Sequence, residues 1–409
     1  MSIYKRQESE CYPGKYAAIG TKGRVKPLDS DGLRWEFERD VHRIIYSQAF
    51  RRLRHKTQVF FFPRNDHVCT RIEHVLHVAS AARTVARKLG LNEDLAEAIG
   101  LAHDIGHAPF GHEGEKIINN LIGDKDKDKD KDEDELKDIR GIIPSFSHEI
   151  NSLRVVDKIA KLDREPPGLN LTWEVRDGII SHWGEDKETH ELKPFDGDKE
   201  LESIKYKKDA GYPTTLEGCI VRLIDKIVYS GRDLEDAIAT EIIEESDVPP
   251  EIVDALGENN GEMIGVFLED MINESRLRIN ESDCKCIAIS SKRAELLKQL
   301  IDFNYGHIYY SEHAERYKEQ AKNTLKSLFS GLREMLICTK RFKENEKLKD
   351  RLKNTTVFRV FEKFLVEDMD NCYNQWDPDS LILLDFIAGM TDNFAVRSFQ
   401  ELFVPQATV

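Results

Sequence analysis

Apolar residues in this chain recur at three- and four-residue steps over most of its length, and almost nowhere in strict alternation. A helix buries one face with that period, whereas a half-buried strand requires period two. The stripe is plainest in Val75, Val78, Ala82, Val85 and Leu89, within a helix predicted over 70–89. It returns in Leu95, Ala98, Ile99 and Ala102 behind an N-cap at Asn92, and in Leu216, Ile220, Leu223, Ile227 and Leu234. Further helical segments are expected at 35–59, 146–159, 175–182, 251–273, 290–304, 313–338, 355–372 and 378–402. Residues 162–172 read as a linker, 184–213 as a surface loop and 286–290 as a short strand; there is no internal repeat. The expected fold class is all-α, with an extended N-terminal arm over 1–34, a helical core over 35–314 and an additional C-terminal helical layer over 315–409.

The chain has 409 residues, 40% of them hydrophobic and 33% charged, enough apolar content for a large core. A formal net charge of −15 argues against a dedicated nucleic-acid binder, yet residues 34–64 hold eight Lys/Arg against three Glu/Asp. That basic segment suits a single-stranded nucleic acid, an effector site or an oligomer interface. Seven irregularly spaced cysteines do not make a disulfide framework, and Cys284 and Cys286 are spaced one residue short of a CxxC motif. The N-terminus has no signal-peptide core and no stretch approaches an apolar membrane span, so a cytoplasmic protein that makes no membrane contact is expected. Residues 124–138 carry nine acids against five lysines and are expected to be a disordered, solvated insertion with no apolar content to bury.

The chemistry concentrates in HDIGHAPFGHEGE (103–115), three histidines and three acids within thirteen positions. Adjacent His103 and Asp104 offer a metal one imidazole nitrogen and one carboxylate oxygen from a single helix end. Glycines and Pro109 then turn the chain, so that His107, His112 and Glu115 return over the same spot. The remaining ligands must come from elsewhere: His74 lies on the preceding helix, and Asp225 is an acid on an otherwise apolar face. A buried carboxylate there requires a cation, either a metal or a salt-bridging Lys or Arg. Two His and two Asp suit a divalent metal such as Mn, Mg, Fe, Co or Ni, which would acidify bound water or polarise a phosphoryl oxygen. His112 has the ordinary pKa for general acid work, and Glu115 three residues on is placed to fix its tautomer. Arg71, Lys226 and Tyr229 would supply charge and hydrogen bonds for a polyphosphate, in place of the glycine-rich phosphate loop that is absent.

His74, His103-Asp104 and Asp225 in that order resemble the H…HD…D signature of HD-domain metal-dependent phosphohydrolases. With FRRLRHKTQVF (50–60), TRIEH (70–74) and DKIVYSGRDLEDA (225–237), the resemblance narrows to the deoxyguanosinetriphosphate triphosphohydrolase family and runs from about residue 35 to 330. It implies an all-α HD core and His74, His103, Asp104 and Asp225 as metal ligands. By the same resemblance His112 and Glu115 form the catalytic pair, while His107 and His148 line the phosphate pocket with Arg71, Lys226 and Tyr229. Gln58 and Asp233 would meet the 3′-hydroxyl of the sugar, and Tyr309 would pack beneath it and disfavour a 2′-hydroxyl. The implied activity is release of intact triphosphate from a dNTP, in a homo-oligomer (tetramer or hexamer) that a second nucleotide effector can activate. The chain departs from the family at Tyr309-Tyr310-Ser311, where Tyr-Arg-His is common, and at Ala108, a frequent proline. Two other readings stand beside this one: an HD phosphohydrolase acting on nucleoside monophosphates or signalling nucleotides, and a non-catalytic nucleotide sensor or single-stranded nucleic-acid binder.

Overall fold

The structure, a computed structural model, describes residues 8–58, 68–123, 136–162, 165–183, 190–257, 259–281, 284–310, 312–340, 354–368, 373 and 377–405. The fold is all-α. Helix α1 (Glu36–Tyr46) packs on α3 (Glu93–Ala102), and α3 lies beside α2 (Arg71–Leu89). The side chain of Asn92 accepts from the backbone of Asp94 and Leu95, each at 3.1 Å, as an N-cap should. Helices α4 (Gly111–Ile122), α5 (His148–Arg154) and α6 (Trp173–Ser181) follow. The long α7 (Leu216–Ala239) then crosses α2, α3 and α6 through the middle of the core. Helices α8 (Asn260–Asn280) and α9 (Ser291–Asn304) close this first layer. The short strand expected near 286–290 forms at Ile287–Ala288 and pairs antiparallel with Glu191–Leu192, inside the segment expected to be an irregular loop.

Three expected helices are each two. The first breaks at Ser47, whose backbone is extended (φ −69°, ψ 149°) and whose hydroxyl accepts from Phe50 N at 3.1 Å. The apolar stripe continues across the break, so periodicity alone does not reveal it. Gly257, at φ 99°, divides 251–273, and Asn259 caps the helix that resumes. The segment 378–402 divides at Gly389 to Thr391 into α12 (Asp379–Ala388) and α13 (Asp392–Phe403). They follow α10 (Glu312–Lys340) and α11 (Thr356–Lys363).

A second buried cluster joins these C-terminal helices to α4: Ile118 and Leu121 pack with Leu328, Phe329, Phe361 and Ile387. Leu136, at the end of the charged insertion, is buried in this cluster with Ile139, so the insertion does have an apolar anchor; 124–135 lie outside the described residues. Residues 8–34 run along the first core rather than away from it. Arg24 forms a buried ion pair with Asp40 and donates to Asn170 O at 2.7 Å. The backbone of Ala18 donates to Glu217 at 3.0 Å. No helix among the described residues is long and apolar enough to cross a membrane.

Candidate active site

Helix α3 ends at Ala102 and delivers His103 and Asp104 to a buried turn. The turn is held from α5: Gly106 N donates to Ser152 Oγ at 2.9 Å, Asn151 Nδ2 to Gly106 O at 2.6 Å and Ser152 Oγ to His103 O at 2.8 Å. A Cβ on residue 106 would lie 2.1 Å from Ser152 N, so glycine is required there. Phe110 and Gly111 then adopt left-handed backbone (φ 66° and 58°), and α4 starts in a new direction that carries Glu115 back toward His107.

His74, His103, Asp104 and Asp225 converge. His74 Nε2 lies 2.9 Å from Asp225 Oδ1 and 3.9 Å from Asp104 Oδ2; His103 Nε2 lies 3.5 Å from Asp225 and 3.7 Å from Asp104 Oδ1. Nδ1 of His103 donates to Gly100 O at 2.8 Å, which leaves Nε2 buried and without a hydrogen-bond partner among the described residues. A bare imidazole nitrogen aimed at two carboxylates, with a second imidazole beside them, is a donor set that fits a divalent cation. Burial works against the Asp104 carboxylate, but His107, Arg71 and His103 hold it well below the ordinary range. Burial likewise opposes ionisation of Asp225, and the adjoining His103 and His74 outweigh it, holding the carboxyl well below its ordinary range.

A second histidine group adjoins the first. His107 stacks on His148 with ring centroids 3.9 Å apart. Glu115 Oε1 accepts from His148 Nδ1 at 2.7 Å and lies 3.3 Å from His107 Nδ1. His112 stands 4.0 Å from Glu115 Oε2, so the hydrogen bonds of this carboxylate go to His148 and not to His112. The His112 side chain is 66% exposed and lines the cavity described below. Burial lowers the His107 pKa well below its usual value, and Arg71 and His148 add to the effect. Burial also disfavours a charged His148, yet Glu149 and Glu115 raise its pKa to about 10. Sequence reasoning missed His182 and Glu149. Both are buried here, and His182 Nε2 is 3.1 Å from His148 Nε2. His182 sits in the unremarkable run SHWG at the end of an apolar helix, where only its polarity gives a signal.

Both groups open into a cavity of about 780 Å³, a size suited to a nucleotide-sized ligand. Lys226, Arg222, Lys207, Arg316 and Lys318 bring positive charge to its wall, and Tyr229, Tyr305 and Tyr309 bring aromatic surface. Arg71 lines it too, with its guanidinium paired to Asp104 and donating to Thr57 O at 3.1 Å and Gln58 O at 3.2 Å. Gln58 Oε1 and Asp233 Oδ1 are buried acceptors with no partner among the described residues, and Tyr309 donates its hydroxyl to Asp233 Oδ2. All the residues singled out in the sequence therefore meet at this one cavity or directly behind its wall.

Residues 71–229 match the HD domain, and residues 287–401 match the phosphohydrolase-associated domain. Along nearly its whole length the chain is similar to curated proteins named deoxyguanosinetriphosphate triphosphohydrolase-like protein. That of Caldanaerobacter subterraneus subsp. tengcongensis is 34% identical over 94% of this chain and 90% of its own. The protein from Clostridium tetani is 32% identical over 100% and 98%, and that from Desulfatibacillum aliphaticivorans 34% over 95% and 93%.

Proposed function

The chain belongs to the deoxyguanosinetriphosphate triphosphohydrolase-like family of HD-domain proteins, and on that premise we propose that it hydrolyses deoxynucleoside triphosphates to deoxynucleoside and intact triphosphate. The observation that carries the reading is a single nucleotide-sized cavity that joins the His/Asp cluster, the exposed His112 and the two unpartnered acceptors Gln58 and Asp233. His74, His103, Asp104 and Asp225 would hold a divalent cation, which supplies Lewis acidity at the α-phosphate when bound.

The chain's own side chains do the rest. Lys226, Arg71 and Tyr229 neutralise and orient the triphosphate. His112, whose ring faces the cavity, hands a proton to the departing 5′-oxygen. Glu115 fixes His148 through Nδ1, and His107 stacked on that ring keeps its plane toward the phosphates. Gln58 Oε1 and Asp233 accept from the 3′-hydroxyl, and Tyr309, tied to Asp233, fills the space a 2′-hydroxyl would need. Homo-oligomerisation and activation by a second nucleotide belong to the same reading.

Anion-exchange analysis of products from each dNTP and NTP, with Mn or Mg, alone and in pairs, tests it. Intact triphosphate from dNTPs is expected, along with poor turnover of NTPs. Orthophosphate or pyrophosphate as the product would overturn the proposal.

A further inference from the structure

The cavity extends past the residues that meet phosphates and sugar. Lys226, Tyr229 and Asp233 line it at successive turns of α7, about 10 Å from first to last at the rise of a helix. The chain leaving α9 runs beside α7 in the same direction: Asn304 Nδ2 donates to Ser230 O at 2.8 Å, and Tyr309 donates its hydroxyl to Asp233. A deoxynucleotide with its phosphates at Lys226 and its 3′-hydroxyl at Asp233 therefore directs its base beyond Asp233 and Tyr309. Ile242, past the end of α7, can cover a base there but cannot read its edge. Two further lining residues can: Tyr310 and, from the second turn of α10, Lys318.

Lys318 is held in place at this end. Its Nζ donates to Tyr309 O at 3.1 Å and to Glu315 Oε1 at 2.6 Å, and stands 5.2 Å from the centre of the Tyr310 ring. An ammonium has three N–H groups, so one remains for a ligand in the cavity. The side chain is 21% exposed, which keeps the charge at the cavity wall and only partly in water. A fixed cationic donor distinguishes the two purines. Guanine presents O6 and N7 side by side, both acceptors, whereas adenine sets the donor N6 group beside N7.

We propose that Lys318 reads the base, donating to O6 and N7 of a guanine and so selecting dGTP over dATP, with Tyr309 O and the Tyr310 ring fixing the ammonium. This rests on the proposed function for the direction in which the nucleotide lies. The residues proposed for metal and phosphates come from the first helical layer, while the base is chosen by a residue of the C-terminal one.

The ratio of kcat/KM for dGTP to that for dATP tests it. The wild type should prefer dGTP, use deoxyinosine triphosphate (which keeps O6 and N7) about as well, and use 7-deaza-dGTP less well. Lys318→Met keeps the stem on an exposed helix face and removes the ammonium; the ratio should fall about tenfold, through loss on dGTP. Lys318→Gln, whose amide can pair with N6 and N7 of adenine, should move the ratio further toward dATP. No purine preference in the wild type overturns the proposal. So does equal loss on both substrates in Lys318→Met, the result expected of a phosphate contact or of a prop for Tyr309. Deoxyinosine triphosphate used as poorly as dATP would place the discrimination at the 2-amino group and overturn it too. The same ratio is read from equilibrium binding of dGTP and dATP in EDTA, where nothing is hydrolysed. A Lys318-dependent ratio there, with no triphosphate released from any dNTP in Mn²⁺, would overturn the proposed function and leave the base contact standing.

Discussion

Asp104 carries two loads that its two simplest substitutions separate. It faces His74 and His103 across the proposed metal position, and it pairs with Arg71, one of the most deeply buried large side chains. Asp104→Asn keeps an acceptor for Arg71 but removes the charge a cation needs; turnover should fall at least about a hundredfold with an unchanged circular-dichroism melt. Asp104→Ala also strands a buried guanidinium, at about 3–5 kcal/mol, and should melt earlier. Equal melting of the two variants would show that the acceptor facing Arg71 contributes nothing. Asp233 gives a pH signature of its own. Burial, above all, raises its pKa from 3.8 to about 7. Between those values the folded chain keeps a proton that the unfolded chain has released, so stability falls as pH rises from about 4 to about 7 and levels above. Asp233→Asn does not titrate and can still accept from Tyr309. The advantage in melting temperature of metal-free Asp233→Asn over metal-free wild type should therefore grow from pH 5 to pH 8, toward at most about 4 kcal/mol. A pH-independent difference would place the raised pKa elsewhere.

At the scale of elements, the turn between α3 and α4 depends on how closely α5 approaches it. Gly106→Ala would place a methyl 2.1 Å from Ser152 N, so α5 must retreat, and His148 on its first turn retreats with it. A cost of about 3 kcal/mol or more is expected, together with loss of Mn²⁺ binding at temperatures where the variant is folded. Intact Mn²⁺ affinity in the folded variant would mean that the turn and α5 are uncoupled. This geometry also explains what the sequence discloses. His103 and Asp104 are legible because neighbouring residues at one helix end must share a location. Asp225 is legible because a carboxylate interrupts an apolar helical face. His182 and Glu149 are silent because their partners lie on other elements, 30 residues or more away: His182 meets His148, and Lys207 bears on Glu149. The break at Ser47 is silent for a different reason. A capped one-residue interruption preserves the apolar stripe on both sides, so the pattern reads as one helix.

At the scale of the whole molecule, the C-terminal layer reaches the site through Asp392, the first residue of α13. Its Oδ2 accepts from Thr57 N at 2.8 Å and Thr57 Oγ1 at 2.6 Å, and its Oδ1 accepts from Phe110 N at 3.0 Å. Thr57 precedes Gln58, and the carbonyls of both hold Arg71; Phe110 is the left-handed residue at which the chain turns from His107 to His112. Lys56 extends the junction, donating to His107 O and, at 2.9 Å, to Ala388 O at the end of α12. One buried carboxylate from the last helix thus fixes both segments that frame the cavity, more than 280 residues distant in sequence. No periodicity or local motif can report such a contact, and the sequence pattern accordingly shows α13 only as another amphipathic helix. Asp392 acts as a positioning residue: Asp392→Ala loses three hydrogen bonds to a buried charge, at about 3–5 kcal/mol. Well below its melting temperature, the folded variant should lose about tenfold or more in kcat and retain its Mn²⁺ stoichiometry, because none of the proposed metal ligands touches Asp392. Asp392→Asn keeps one acceptor oxygen and should recover part of kcat. Wild-type kcat in folded Asp392→Ala would reduce the junction to a fastening of the fold, with no bearing on the geometry of the site.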